Sequence, residues 1–216
     1  MSKKLYPDSK VEVRGTEARH YDLFMNLVSL GTYPFFIKKA INSMLIQPDD
    51  VIADFGAGTG RNALLMHSYL SEKGSIIGYE IGEEMRASFR KNSSGIPNIL
   101  LRTQRVDEEI AGSEVYDKIL MSFVLHGLPH EHRLGVLSNV KNLLKKEGSF
   151  FLLDYTPTPK ESVSSIRQFL FTKVECPYSY DFIIRDWDAV LQEYGLHIVK
   201  QQTFMKWVSL LEIQHI

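Results

Sequence analysis

Asp54, Glu80, His20 and His126 are the residues of this 216-residue chain whose types and surroundings point to chemistry. Asp54 lies in the apolar run Val51 to Phe55, which leads into Gly56, Gly58 and Gly60, three alternate glycines ahead of a helix-forming segment. Glycines at a strand-to-helix turn adopt dihedrals closed to other residues and let a ligand approach the backbone, while the first N–H groups of the helix face whatever is bound. The carboxylate selects the ligand. A pyrophosphate would be repelled by Asp54, and the dinucleotide spacing G-x-G-x-x-G needs a glycine where Arg61 stands. A cation is attracted instead.

Glu80 closes a second apolar run, Ser75 to Glu80, twenty positions after Gly60. An acid at the tip of the second strand can accept from both hydroxyls of a ribose. Together the two acids predict a nucleoside that carries positive charge, and S-adenosylmethionine, with its ammonium and sulfonium, meets both demands. The backbone from Phe55 to Gly60 is expected to hold the methionine moiety. Transfer of a methyl group from a sulfonium is an in-line displacement, so a protein mainly aligns the partners and excludes water; a base is needed only for an acceptor that still carries a proton. His126 and His20 are the candidate bases, because neutral imidazole is available near pH 7. By position after the fourth predicted strand, His126 faces the expected crevice better.

These segments resemble the class I S-adenosylmethionine-dependent methyltransferases, from about Glu17 to the C-terminus. Asp54 to Gly60 is similar to the family's glycine-rich first motif and Glu80 to its ribose-binding acid. Val115-Tyr116-Asp117-Lys118-Ile119-Leu120 resembles its fourth strand, and Leu143 to Asp154 its helix, turn and fifth strand. Arg19-His20-Tyr21-Asp22-Leu23 and Phe123-Val124-Leu125-His126-Gly127-Leu128-Pro129 are similar to the ubiquinone/menaquinone and phospholipid methyltransferase branch. The resemblance implies S-adenosyl-L-methionine as cofactor and S-adenosyl-L-homocysteine as product. It implies cofactor contacts from Tyr21, Asp54, Phe55, Gly56, Ala57, Gly58, Gly60, Glu80, Ile81, Gln104, Arg105, Val106 and Phe123, with Ile81 against the adenine face and Tyr21 closing over the cofactor. There is one departure. The family often places an Asp after the third strand to receive the adenine amino group, where this chain has Arg105, which cannot accept a hydrogen bond. Gln104 or Asp107 is left for that role. No metal site is expected.

The elements that must position these residues read as an α/β chain. From Val51 onward, strands at Val51 to Phe55, Ser75 to Glu80, Asn98 to Arg102, Tyr116 to Ser122 and Ser149 to Asp154 alternate with helices at Arg61 to Leu70, Gly82 to Arg90 and His130 to Leu144. Such alternation implies a parallel sheet with right-handed crossovers. A helix around Ser162 to Phe171, an irregular stretch from Val174 to Arg185, a helix from Asp186 to Tyr194 and strands at His197 to Phe204 and Trp207 to Gln214 follow. In the resembled fold this is a Rossmann-like seven-stranded sheet, mostly parallel with an antiparallel last strand and helices on both faces. Ligands of such sheets lie beyond the carboxyl ends of the strands, which gathers Asp54, Glu80, Gln104 to Val106, Ser122 to His126 and Asp154 at one crevice.

Composition agrees with one domain over residues 1–216, since 44% hydrophobic and 24% charged residues suit a single large core, and the resemblance implies that it is a methyltransferase domain. Residues 1–16 read as a flexible tail, 17–46 as a cap of two helices broken at Gly31 and Pro34, and 47–216 as the Rossmann-like core with a substrate-facing insert at about 156–185. A net charge of −1 gives no drive toward nucleic acid. The single Cys176 excludes an intrachain disulfide, and without a secretory or membrane-spanning run the expected location is cytoplasmic. Lys3, Lys4, Lys10 and Arg14 leave peripheral membrane contact open. Tyr33, Phe35, Phe36, Phe169, Phe171, Tyr178, Tyr180 and Phe182 are expected to wall a pocket for a small aromatic or lipophilic acceptor, quinol-like or phospholipid-like. Three other functions stay open: a protein- or RNA-directed methyltransferase, favoured by a basic patch at the crevice; a non-catalytic S-adenosylmethionine-binding module, favoured by a crevice without room beside the sulfonium; and a nucleotide-dependent oxidoreductase, opposed by Asp54 and Arg61. The acceptor's identity and the oligomeric state are not set by these features.

Overall fold

The computed structural model describes Ser9, residues 33–204 and residues 207–216. Seven strands form one sheet: β1 (Val51–Phe55), β2 (Ser75–Tyr79), β3 (Ile99–Arg102), β4 (Tyr116–Ser122), β5 (Leu144–Tyr155), β6 (Leu196–Phe204) and β7 (Val208–His215). Their order is β3-β2-β1-β4-β5-β7-β6. The neighbours from β3 through β5 pair in parallel, and β7 runs antiparallel to both β5 and β6. The expected sheet is present, with its antiparallel strand slotted one place in from the edge. Strand order reverses between β1 and β4, so the gap above their carboxyl ends is the topological switch point where open α/β sheets bind ligands.

Strand periodicity divides the core in two. Ile52 of β1, Ile76 of β2 and Phe151 and Leu153 of β5 face one layer, made by α1 (Tyr33–Asn42), α2 (Arg61–His67) and α3 (Glu83–Asn92). Ala53, Phe55, Ile77, Ile119, Phe150 and Leu152 face the other, made by α4 (His130–Leu143), the π-helical turn Leu170–Val174 that follows α5 (Ser165–Phe169), α6 (Ser179–Ile184) and α7 (Trp187–Glu193). Alternation of side chains along a strand produces this split. It also sends Asp54 to the face of Ile52 and Asp154 to the face of Leu152.

Two differences from the sequence expectation have local causes. β5 begins at Leu144, five residues before Ser149, because Leu144 is buried and Lys145 Nζ is held 2.8 Å from both Asp117 carboxylate oxygens. The polar Lys145-Lys146-Glu147-Gly148 stretch therefore runs extended instead of turning. In the insert, α5 starts at Ser165 behind the Ser164 cap and continues as a π-helical turn to Val174, while α6 occupies residues expected to be irregular. Burial of Phe182 and Ile183 selects that helix, which six residues could not hold alone. Of the expected tail, Ser9 is described: it is buried, and its hydroxyl donates to Gly127 O. The first expected cap helix, with His20 and Tyr21, lies outside the described residues; α1 is the second.

Candidate cofactor and acceptor site

The turn after β1 is built by its glycines. Gly56, Gly58 and Gly60 all have left-handed backbone, with φ of 77°, 53° and 81°. A Cβ on Gly56 would stand 2.5 Å from Val124 Cγ2, so the turn and the loop after β4 close on each other only because that atom is missing. A Cβ on Gly58 would meet no protein atom within 4 Å, so this backbone faces open space, as a cofactor-holding turn must.

Beneath the turn lies a buried carboxylate. Asp54 is 0% exposed, and among the described residues neither of its oxygens has a hydrogen-bond partner. Burial, then the neighbouring Glu80 charge, push its pKa up to about 7. A buried unpaired carboxylate is costly, and a site that keeps one is shaped to receive a cation. Glu80 is arranged differently. Its Oε2 accepts from Gly58 N at 2.9 Å and its Oε1 from Gly82 N at 2.6 Å. Burial raises its pKa against the opposing pull of these amides. Each oxygen keeps a lone pair, so Glu80 can hold the turn and still accept a ribose hydroxyl.

Across the switch point, the loop after β3 is pinned to α4. Arg105 grips Asp107 through two bonds, Nε at 3.1 Å and Nη2 at 2.6 Å, and reaches Glu108 at 3.2 Å. Asp107 also pairs with His132 Nδ1 at 2.6 Å. Asn139 fixes the same loop by donating to Val106 O and Glu108 O and accepting from Ile110 N. Asp107, one of the two residues left for the adenine edge, is thus engaged by Arg105 and His132. Gln104 donates its amide to Glu109 O, which leaves its oxygen as the acceptor on that loop.

His126, one of the two candidate bases, lies in the short turn after β4. Asp154, at the end of β5, takes His126 Nδ1 at 2.8 Å with one oxygen and the His126 backbone N–H at 3.2 Å with the other. Tyr155 and Phe182 stand edge-on to the imidazole at centroid distances of 4.8 and 6.4 Å. Phe123 sits just before it with φ of 55°, a left-handed conformation rare outside glycine, and packs edge-on against Phe36 and Tyr155. The expected aromatic pocket is only partly assembled. Phe35 and Phe169 are 80% and 60% exposed, whereas Phe171 and Phe182 are buried core residues. The side chain of Tyr33 lies outside the described residues.

Residues 52–148 match the family described as a methyltransferase domain. The chain is 24% identical over 139 residues to the ubiquinone/menaquinone biosynthesis C-methyltransferase of Wigglesworthia glossinidia brevipalpis, covering 63% of this chain and 55% of that protein. It is 24% identical over 148 residues to the demethylmenaquinone methyltransferase of Lactobacillus johnsonii, covering 63% and 57%. The chain therefore spans little more than half the length of these relatives. Among solved structures, an S-adenosylmethionine-dependent methyltransferase from Aquifex aeolicus superposes with a TM-score of 0.64 at 16% identity, over 83% of this chain and 89% of that one. Residues 52–148 are thus similar to a methyltransferase domain, and the sheet shares its fold with an S-adenosylmethionine-dependent methyltransferase.

The chain's own residues fit S-adenosylmethionine, the cofactor that the matched domain implies. An orphaned, buried carboxylate suits an ammonium, Gly58 leaves the room a methionine chain needs, and Glu80 is placed for the ribose. Removing Glu80 is expected to weaken binding of S-adenosylhomocysteine by roughly 1.5–3 kcal/mol, the worth of hydrogen bonds to a charged group. Titration calorimetry on Glu80→Ala checks this, and an affinity equal to wild type would rule out the ribose contact. Sequence reasoning overlooked the buried Arg133 of α4. Its Nε donates to Leu125 O, its Nη2 to His126 O and Tyr178 O, and its Nη1 pairs with Asp181 at 2.7 Å. It ties the His126 turn to α6. A lone Arg among the apolar positions of a predicted helix was the one available signal.

Proposed function

We infer that the protein transfers the methyl group of S-adenosylmethionine to a small aromatic or lipophilic acceptor of quinol type, one whose hydroxyl must lose a proton. The observation that carries this reading is the Asp154–His126 pair. A carboxylate accepts, so in the neutral imidazole the bond at 2.8 Å requires the proton on Nδ1 and leaves Nε2 with a lone pair. Among the described residues Nε2 has no hydrogen-bond partner. His126 then takes the acceptor's hydroxyl proton at Nε2, and Asp154 stabilises the imidazolium that forms. Tyr155 and Phe182 shield the imidazole and offer flat apolar surface. When bound, the cofactor supplies an electrophilic methyl group on a sulfonium. The names of the relatives support a quinone-type acceptor.

Incubation with isotopically labelled S-adenosylmethionine and a lipid and quinone extract, followed by mass spectrometry, tests the reading; a labelled aromatic product is expected. Calorimetry should show binding of S-adenosylmethionine and S-adenosylhomocysteine and none of NAD. Tight NAD binding, or cofactor binding with no acceptor methylated from any extract, would reject it.

A further inference from the structure

Two guanidiniums are buried among the elements that follow β4, and they are provided for unequally. Arg133 has a carboxylate and three carbonyls around it. Arg167, on α5, is 6% exposed and has no acidic partner among the described residues. Its Nη1 donates to Thr158 Oγ1 at 2.6 Å and its Nη2 to Thr156 O at 2.8 Å, and it lies over the rings of Phe171 and Trp207 at 5.4 and 6.0 Å. Those two bonds use two of five donors. Its Nε is buried without a partner, and so is Thr156 Oγ1 in the same patch. Burial alone, with no opposing charge, lowers its pKa.

A buried cation that lacks a counter-ion in the protein is a place where a ligand can supply one. Its position says which ligand. Thr156 and Thr158 follow directly on Asp154 at the carboxyl end of β5. Phe171, beneath the guanidinium, packs edge-on to Tyr155 at 4.7 Å, and Tyr155 packs on His126. The cation therefore adjoins the aromatic wall of the acceptor side, not the glycine turn. We propose that Arg167, with the unpartnered hydroxyl of Thr156, forms an anion subsite for a carboxylate or phosphate carried by the methyl acceptor; the Thr158 hydroxyl, which accepts from Arg167 and donates to Thr156 O, braces the cation. The substrate class is then an anionic hydroxyaryl compound, held by its charge while its hydroxyl addresses His126. This rests on the acceptor reading above.

The test is thermal melting of the full chain saturated with S-adenosylhomocysteine, with 4-hydroxybenzoate, its neutral methyl ester or inorganic phosphate added. The carboxylate, the phosphate or both should raise the melting temperature with dose, and the ester should not. Arg167→Met should weaken that response at least tenfold while melting no lower than wild type without anion, because an unpaired buried charge is gone. A cation with a purely structural role would instead make the variant melt lower and leave the anion response as it was. If Arg167→Met does not fold, Thr156→Val keeps the cation and should reduce the response several-fold. No anion response in wild type, an equal response in the variants, or a response seen only without S-adenosylhomocysteine overturns the proposal; the last would assign the cation to the cofactor's carboxylate. Failure to bind S-adenosylhomocysteine at all, measured separately by calorimetry, would instead sink the cofactor reading.

Discussion

Asp54→Asn is expected to do two opposite things: stabilise the ligand-free protein at neutral pH and remove most of its affinity for S-adenosylmethionine. Burial and the Glu80 charge raise the Asp54 pKa from 3.8 to about 7. Below the ordinary carboxylate range, folded and unfolded chains both hold the proton and nothing is lost. As pH rises from there toward 7, the unfolded chain ionises first, so stability falls until the folded state also gives up its proton. At about 1.4 kcal/mol per pKa unit the loss is roughly 4 kcal/mol by neutral pH. The Asn amide leaves buried donors unpaired, which returns about 1–3 kcal/mol of that cost. A net gain of a few kcal/mol should raise the melting temperature by ~2–4 °C for each, and flatten its pH dependence between 4 and 7. Loss of a buried counter-charge should weaken cofactor binding by roughly 2–5 kcal/mol, at least thirtyfold. Wild-type affinity should also fall as pH drops below 7, with a proton released on binding, whereas the variant's affinity should not follow pH there. An Asp54→Asn protein that binds within about threefold of wild type would show that the carboxylate does not face the ligand.

The parts of this site that lie on the sheet were legible in the sequence. β1 and β4 have the boundaries expected, because each is an apolar run closed by a polar or glycine turn. Once β1 and β4 are neighbours, Asp54 and His126 must come to one switch point, and the pairing of β4 with β5 brings Asp154 there as well. The insert was not legible. The six-residue α6 carries no periodic signal of its own; it exists because Phe182 packs on Trp187 and Arg133. Aromatic composition could not separate exposed Phe169 from buried Phe171, two residues apart on one helical segment. Arg105 shows the same limit. Its residue type excluded it as an acceptor for adenine, but its pairing with Asp107, which draws a second candidate away, depends on where α4 places His132.

His126 and Asp154 should separate in kinetics although they form one unit. His126→Ala removes the proposed proton acceptor, and turnover of a quinol or phenol acceptor should fall by roughly 10²–10⁴, with cofactor affinity unchanged because Asp54 and Glu80 are untouched. Asp154→Asn keeps the imidazole but changes what faces it. An amide can donate to Nδ1 as readily as accept from it, which allows the tautomer with the proton on Nε2, the wrong atom for a base. The variant should therefore lose turnover while the acceptor's KM moves little. Removing the carboxylate also withdraws the charge that would stabilise the imidazolium once the proton has moved. The backbone N–H of His126 loses a charged acceptor as well, at 3.2 Å, so a stability cost of about 1–3 kcal/mol is expected alongside. Turnover of His126→Ala within a few-fold of wild type would leave the pair as a brace between β4 and β5. It would also require an acceptor already deprotonated when it enters the site.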